Sequence, residues 1–465
     1  MLKKNDTLEV IIESDSGNGA GICHVDNLAV FVAGTTRGDK AKIRIVNVKS
    51  SYAVAELLVL IEPSEDRTFD FCITSKFCGG CDLAHVKYER QLEIKKEHVL
   101  SCLTRIGKLN SDEFEFFDTI GMEEPERYRN KMVFPVGYDK KKRVIGGFYK
   151  KASHEIVELK DCRQGPKEAS NYLNAVLEYM KDNGVLPYDE KTHKGLIRRV
   201  FVRFGNISKE VMVVISVNGK SLPNKDALIE KLISIDGEYI LASVVLNINT
   251  QKNNLVLGDE NITLYGREYI LDTLCGITYK ISPNSFYQVN PLQTEVLYKK
   301  AMEFAELGGD ETVIDLYCGI GTISLMAAKY AKSVIGVEIV EQAIKDAKNN
   351  AKENGITNAE FILGSAETIA SSLADNGKKA DVVFIDPPRK GSDEITLDSI
   401  VKMSPEKIVY VSCNPSTLAR DLSYLKDKGY ITKKVQPVDM FPNTSHVECC
   451  VLLCREEKGE KGEKA

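Results

Sequence analysis

The chain has 465 residues, with 62 Lys and Arg against 67 Asp and Glu, so its formal net charge is -5; 43% of the residues are hydrophobic and 28% are charged. This length is too great for a single hydrophobic core and predicts two or three domains. The nearly equal numbers of basic and acidic residues exclude a chain that is basic throughout. No apolar stretch of the sequence is long enough to span a bilayer.

The start of the chain, MLKKNDTLEVIIESD, lacks the apolar segment of a signal peptide. We therefore expect a cytoplasmic protein that makes no membrane contact. In a reducing compartment the twelve cysteines indicate metal binding or catalysis before disulfides.

Residues 1–60 contain about five short apolar or alternating segments separated by glycine turns. This pattern predicts a small OB-like β-barrel, which is a common platform for oligonucleotides. The stretch GNGAGICHVDNLAVFVAGTTRGDKAKIRI resembles a TRAM domain, an RNA-binding barrel.

Residues 61–270 mix strand patterns with two helical segments, near 87–106 and 168–182, and predict a central α+β domain. A basic island lies within it: residues 127–163 hold eleven Lys and Arg against four Asp and Glu. Such an island in an acidic chain is typical either of a footprint for a polyanion or of a solvated face on a lysine-rich protein.

Residues 271–455 alternate apolar strands with helical stretches, which predicts a doubly wound, mostly parallel sheet of Rossmann-like type. The last residues, 456–465, are charged and of low complexity, and we expect them to be disordered. The fold class predicted is therefore multidomain α/β.

The segment VIDLYCGIGTISLMAA reads as strand, glycine turn and helix. It lacks the third glycine of a dinucleotide fingerprint and the Gly-Lys-Ser/Thr of a phosphate loop. Glu338 ends the next strand, where an acid can accept the hydroxyls of a ribose. A glycine loop and an acid without phosphate-binding groups favour S-adenosylmethionine, while NAD and an ordinary βαβ unit without ligand remain alternatives.

Three cysteines stand at Cys72, Cys78 and Cys81, and the fourth member of the group is expected to be Cys162. Four thiolates suit either zinc or an iron–sulfur cluster. Of the other eight cysteines, seven are read as ordinary interior residues. The eighth, Cys413 in SCNP, follows an apolar strand and is either an inert thiol or a nucleophile.

Six motifs occur in order: SPNSFYQVN, DLYCGIGTISL, VEIV, DPPRKG, SCNP and NTSHVEC. Together they resemble the bacterial 23S ribosomal RNA (uracil-5-)-methyltransferases with a TRAM domain and an iron–sulfur cluster, over nearly the whole chain. The resemblance implies a class I methyltransferase domain in 271–455, 23S rRNA as partner, S-adenosylmethionine as methyl donor and a [4Fe–4S] cluster in place of zinc.

Carried over by position, the resemblance also assigns the site residues. It implies Cys413 as nucleophile and Glu448 as base, and Phe286 as a residue that stacks on the flipped uracil. Contacts to S-adenosylmethionine are implied for Gln288, Tyr317, Glu338 and Asp386.

Three rival functions stay open at this point. The first is a transfer-RNA uracil-5 methyltransferase, since some of these enzymes have a similar barrel. The second, a cytosine-5 RNA methyltransferase, would want a Pro-Cys motif that Ser412-Cys413-Asn414 does not match. The third is a non-catalytic RNA-binding iron–sulfur protein. We assume a monomer.

Overall fold

The structure is a computed structural model that describes residues 2–69 and 72–456. The predicted tail lies outside these residues except for Glu456. The chain divides into two compact units: the first comprises 1–91, 123–291 and 442–445, and the second comprises 92–122, 292–441 and 446–465. The prediction of contiguous domains at 61–270 and 271–455 differs from this division, because residues 92–122 leave the central region for the second unit.

The N-terminal part of the first unit is a six-stranded, barrel-like sheet of order β1-β5-β6-β4-β3-β2. Alternate residues of its strands are buried in one apolar cluster, which includes the fully buried Val30, Ile43 and Ala53. The strands are β1 (Thr7–Ile11), β2 (Ser14–Asp15), β3 (Ala20–Val25), β4 (Leu28–Ala33), β5 (Lys40–Val48) and β6 (Tyr52–Glu62).

Three elements follow the barrel-like sheet in the chain. Helix α1 (Tyr88–Arg105) covers the helical segment predicted near 87–106, and from Leu92 onward it belongs to the second unit. A 3-10 helix (Ser111–Glu113) and strand β7 (Glu115–Phe116) come next.

The rest of the first unit is built on a seven-stranded sheet of order β10-β9-β8-β11-β12-β13-β14. Every residue of β11 is buried, including its three arginines. The elements are β8 (Lys131–Tyr138), β9 (Val144–Tyr149), β10 (Ile156–Glu158), α2 (Glu168–Asp182), β11 (Ile197–Phe204), β12 (Glu210–Val217), α3 (Lys225–Ile233), β13 (Ile240–Ile248) and β14 (Glu260–Gly266); a hairpin of β15 (Ile270–Leu274) and β16 (Ile277–Ile281) ends it.

The second unit is an eight-stranded sheet of order β19-β18-β17-β20-β21-β23-β22-β7. The predicted alternation of strands and helices is confirmed here. The elements are α4 (Pro291–Ala305), β17 (Thr312–Leu316), α5 (Thr322–Ala327), β18 (Ser333–Glu338), α6 (Glu341–Glu353), β19 (Ala359–Leu363), α7 (Ala366–Asp375), β20 (Val382–Ile385), α8 (Glu394–Met403), β21 (Lys407–Ser412), α9 (Pro415–Asp427), β22 (Tyr430–Val438) and β23 (Glu448–Arg455).

Strand direction decides where a ligand can bind in this sheet. The strands from β19 to β21 are parallel, whereas β23 pairs antiparallel with both β21 and β22. The strand order reverses between β17 and β20, and such a switch point opens a crevice at the carboxyl ends of the strands. In the described residues no helix is long and apolar enough to cross a membrane.

Candidate active site

The turn after β17 has backbone dihedral angles that favour glycine. Gly319 has φ +56° and Gly321 has φ +86°. A Cβ at position 321 would lie 3.1 Å from an aromatic ring, so the turn also requires a residue without a side chain at this position. Gly319 N donates to Glu338 Oε2 at 3.1 Å, and Val340 N donates to Glu338 Oε1 at 2.9 Å. The Glu338 carboxylate is thus fixed beside the turn, with lone pairs left for further donors.

Two further residues, Asp315 and Tyr317, lie just before this turn in the chain. Tyr317 has φ +70° and its hydroxyl lies 3.2 Å from Ser392 Oγ. Asp315 is buried, and Ser324 Oγ donates to its Oδ2 at 2.5 Å. Burial, the largest cause, raises the pKa of Asp315 to about 7. The sequence analysis gave Asp315 no role, but its Oδ1 is buried without a hydrogen-bond partner among the described residues.

Cys413 lies at the carboxyl end of β21, directly before α9. Asn414 caps α9 by accepting from Ser416 N at 3.0 Å, and its Nδ2 donates to Arg389 O at 2.9 Å. Cys413 is partly exposed. Burial raises the pKa of its thiol to about 11, and the charges of two neighbouring carboxylates add to this. The thiol needs a nearby cation to become a nucleophile at neutral pH.

The strand register places Glu448 beside Cys413. Ser412 pairs with Cys449 across the antiparallel ladder of β21 and β23. Glu448 is the first residue of β23, so it lies at the edge where β21 ends and Cys413 follows. Its side chain is buried, and burial followed by the charge of Asp386 raises its pKa to about 8.

Asp386 completes the acidic part of the site. It follows β20, the strand that pairs with β21. Burial raises its pKa to about 7. Its charge acts on both Cys413 and Glu448 and raises their pKa values. The second unit therefore brings together three of the predicted site residues at one sheet edge.

Arg389 is a candidate site residue to which the sequence analysis gave no role. In the structure its charge lowers the pKa of both Cys413 and Glu448. Its Nη2 lies 3.5 Å from His446 Nε2, and its carbonyl accepts from Thr417 Oγ1 at 3.2 Å. A cation in the middle of a strand-end motif with two prolines was the available signal.

Gln288 and Phe286 belong to the first unit. The segment that carries them is held by a buried arginine, because Arg203 donates to Ser282 O at 3.1 Å and to Ser285 O at 2.9 Å. Asn130 Nδ2 donates to Gln288 O at 2.9 Å. Gln288 is buried, whereas the ring of Phe286 is 65% exposed. The roles predicted for both residues stay predictions.

The four cysteines of the predicted metal group line one cavity of about 260 Å³ in the first unit. All four are free thiols. Burial raises the pKa of Cys78, Cys81 and Cys162, to about 11 for Cys162. The described residues hold no group of three or more His, Cys, Asp or Glu side chains arranged for a metal ion. The cavity is thus shown, and a metal centre in it is not.

Of the seven cysteines read as interior residues, five are buried. Cys275 and Cys454 are partly exposed instead. The buried ones are Cys23, Cys102, Cys318, Cys449 and Cys450.

Three arginines of the basic island, Arg127, Arg143 and Arg163, have acidic partners. Arg127 pairs with Asp161 at 2.5 Å, and Arg143 pairs with Asp139 at 2.7 Å. Asp139 and Asp161 are two of the four acidic residues already counted in the island, so these pairs leave its excess of Lys and Arg unchanged. The three lysines 140–142 are exposed around the turn between β8 and β9 and offer cations to a polyanion.

Comparison with known proteins agrees with this geometry. The family described as tRNA (Uracil-5-)-methyltransferase matches residues 87–456, and the TRAM domain matches residues 2–58. An RNA methyltransferase of Halalkalibacterium halodurans, itself uncharacterized, is 46% identical over 97% of this chain and 98% of its own. A relative with the same description in Clostridium tetani is 46% identical, covering 97% of both chains.

A solved structure is similar over almost the whole chain. It is the Pyrococcus abyssi tRNA (uracil-54, C5)-methyltransferase in complex with S-adenosyl-L-homocysteine, with a TM-score of 0.77 and 27% identity. The similarity covers 96% of this chain and 100% of that one. The predicted resemblance to RNA uracil-5-methyltransferases with a TRAM domain is confirmed, and the chain belongs to the RNA uracil-5-methyltransferase family, with an N-terminal TRAM domain.

Proposed function

We propose that this enzyme methylates C5 of uridine in 23S ribosomal RNA, with S-adenosylmethionine as methyl donor, through a covalent bond between Cys413 Sγ and C6 of the base. The register of β21 and β23 carries the proposal, because it sets a carboxylic acid and a cysteine side by side at the ligand-binding edge of the sheet. Each of these groups has one step of the chemistry to perform.

The methyl donor fits the edge of the sheet between β17 and β20. Glu338 can accept the ribose hydroxyls, and the open glycine turn lets the backbone approach the ligand. S-adenosylmethionine supplies an electrophilic methyl group on a positively charged sulfur. Asp315 and Asp386 make the surroundings acidic, which suits a cation and disfavours the pyrophosphate of NAD. Tyr317 and Gln288 remain proposed contacts.

Cys413 supplies the nucleophile. Attack of its thiolate on C6 makes the neighbouring C5 electron-rich, and C5 then takes the methyl group. The positive charge of Arg389 favours the thiolate over the thiol. The proposal therefore assigns Arg389 to activation of the nucleophile.

Glu448 supplies the base. After methyl transfer the C5 proton must leave before the thiol is eliminated and the double bond is restored. A carboxylate with a pKa of about 8 accepts a proton far more readily than an ordinary glutamate does, which suits a base working near neutral pH. Phe286, exposed on the first unit, is proposed to stack on the extruded uracil.

The nucleophile is tested with RNA that contains 5-fluorouridine. Fluorine cannot be removed as a proton, so the wild-type enzyme should form a stable protein–RNA adduct visible on a denaturing gel. Cys413→Ala should give neither adduct nor product, and Cys454→Ala is the matched control because Cys454 lies on β23 away from the site end. Turnover by Cys413→Ala would refute the proposal.

The base is tested separately with ordinary RNA. Glu448→Gln should still transfer the methyl group but release product slowly, so the adduct should accumulate. An unchanged turnover rate in Glu448→Gln would remove Glu448 from the mechanism.

Transfer RNA is the second candidate substrate. The similar Pyrococcus abyssi structure is a transfer-RNA enzyme, and this favours the alternative over other RNA classes. Mapping of 5-methyluridine by mass spectrometry in ribosomal and transfer RNA from a deletion strain separates the two. Loss of the mark from transfer RNA alone would overturn the 23S assignment.

The RNA is proposed to lie along the TRAM sheet and lysines 140–142. Contacts to phosphates release counterions, so affinity should fall steeply with salt. Replacing these three lysines with glutamine should reduce the slope of log affinity against log salt by about two to three.

We also propose that Cys72, Cys78, Cys81 and Cys162 hold a [4Fe–4S] cluster. Support comes from the donor chemistry, since four free thiols on one cavity wall are the ligand set of such a cluster. Zinc is the rival occupant. Anaerobic purification followed by iron, sulfide and zinc determination decides between them, and a colourless protein without iron would refute the cluster.

A further inference from the structure

Gln164 is a buried polar residue of the first unit. It is 4% exposed, and neither Nε2 nor Oε1 has a hydrogen-bond partner among the described residues. A buried polar group without a partner costs about 1–3 kcal/mol. Native proteins rarely bury an amide whose nitrogen and oxygen both lack hydrogen bonds. The amide of Gln164 therefore indicates a ligand that would supply a hydrogen-bond partner.

The position of Gln164 identifies the space from which a partner must come. The residue lines the cavity of the four cysteines and stands two positions after Cys162. Its carbonyl accepts from Arg129 N at 2.8 Å, and Gly165 N donates to Cys162 O at 3.2 Å. These bonds fix the backbone on both sides, so the amide is held on the cavity wall.

The charge of the cavity wall indicates what kind of ligand fits. Arg129, Lys131 and Arg163 line it, and among the residues that the structure describes no aspartate or glutamate does. Such a wall suits a ligand that is negatively charged and accepts hydrogen bonds. An iron–sulfur cluster with thiolate ligands meets both conditions, because its sulfurs accept N–H donors.

We infer that Gln164 Nε2 donates a hydrogen bond to a sulfur of the cluster, and that this bond, together with the cations of Arg129 and Lys131, sets the redox stability of the cluster. The inference rests on the cluster proposed above. Hydrogen bonds to sulfur and nearby positive charge stabilise the more reduced, more negative state. They raise the reduction potential and oppose oxidative breakdown in air.

The test compares three forms of the full-length protein, purified without oxygen. Gln164→Met keeps the length of the side chain and removes the N–H donor. Met132→Leu is the matched control, because Met132 lines the same cavity and offers no donor. Iron content, midpoint potential from a titration followed by electron paramagnetic resonance, and the half-life of visible absorbance in air are measured for each.

We expect Gln164→Met to bind as much iron as the wild type, with a more negative midpoint potential and a half-life in air that is several-fold shorter. Met132→Leu should match the wild type in both. If Gln164→Met is isolated without iron, it is loaded anaerobically with ferrous iron and sulfide before the titration.

Two failures are distinguishable. Wild-type protein without iron would overturn the cluster itself. Wild-type protein with iron, and a Gln164→Met variant with the same potential and half-life, would overturn the role of Gln164 and leave the cluster in place.

Discussion

The buried ion pair between Lys95 and Asp439 in the second unit gives the sharpest stability prediction. Lys95 is 1% exposed and Asp439 is fully buried. Lys95 Nζ donates to Asp439 Oδ1 at 2.5 Å and to Phe441 O at 3.1 Å. The same Oδ1 accepts from Phe441 N at 3.0 Å. Lys95→Met keeps most of the side-chain length but removes the ammonium group that pairs with the buried carboxylate.

Removing one partner of a buried pair costs about 3–5 kcal/mol, since the remaining charge stays in a medium that solvates it poorly. The neighbouring residue provides a matched control. Lys96 pairs with Asp118 at 2.6 Å, but Lys96 is 37% exposed and Asp118 is 92% exposed. An exposed pair contributes about 0–1 kcal/mol, so Lys96→Met should be nearly neutral.

Urea-induced unfolding followed by circular dichroism measures both variants. The double variant Lys95→Met/Asp439→Asn should recover most of the loss, because the neutral amide keeps an acceptor for Phe441 N and carries no charge. Equal costs for Lys95→Met and Lys96→Met, or no recovery in the double variant, would refute the reasoning from burial.

Three further predictions concern the site. Asp386 and Glu448 have pKa values raised to about 7 and about 8, so both are partly protonated at neutral pH. Because a sulfonium cation favours their ionised forms, S-adenosylmethionine should bind with release of protons, and its affinity should rise from pH 6 to pH 8. Calorimetry in buffers of different ionisation enthalpy measures this release, and an affinity that does not depend on pH would contradict the prediction. Arg389→Met removes the cation that favours the Cys413 thiolate, so the rate should fall at pH 7 and recover in part at higher pH; a uniform loss across the pH profile would point to folding instead. Gly321→Ala places a side chain on a residue with φ +86° and against an aromatic ring. This strain should lower the free energy of unfolding by about 1–3 kcal/mol. A thermal melt followed by circular dichroism that matches the wild type would contradict the prediction.

Local patterns in the sequence were enough to predict much of the architecture. The strand–helix alternation after residue 311, the helix at Tyr88–Arg105 and the glycine turn at 319–321 are visible because they depend on neighbours within a few residues. The placement of Cys413 at the end of a strand follows in the same way. The family motifs then assigned chemistry to positions that periodicity alone leaves neutral.

The tertiary structure decided what depends on distant residues. Strand β7 has two residues and no periodicity, yet it joins the eight-stranded sheet through β22, some 320 positions later. Lysine and arginine normally stay in water, so the buried Lys95 and Arg203 follow only from partners that the fold supplies. The pairing of Ser412 with Cys449, which brings acid and thiol to one edge, is likewise a matter of strand register. Register is set by non-local packing and turn geometry, and it has no signature in either strand alone.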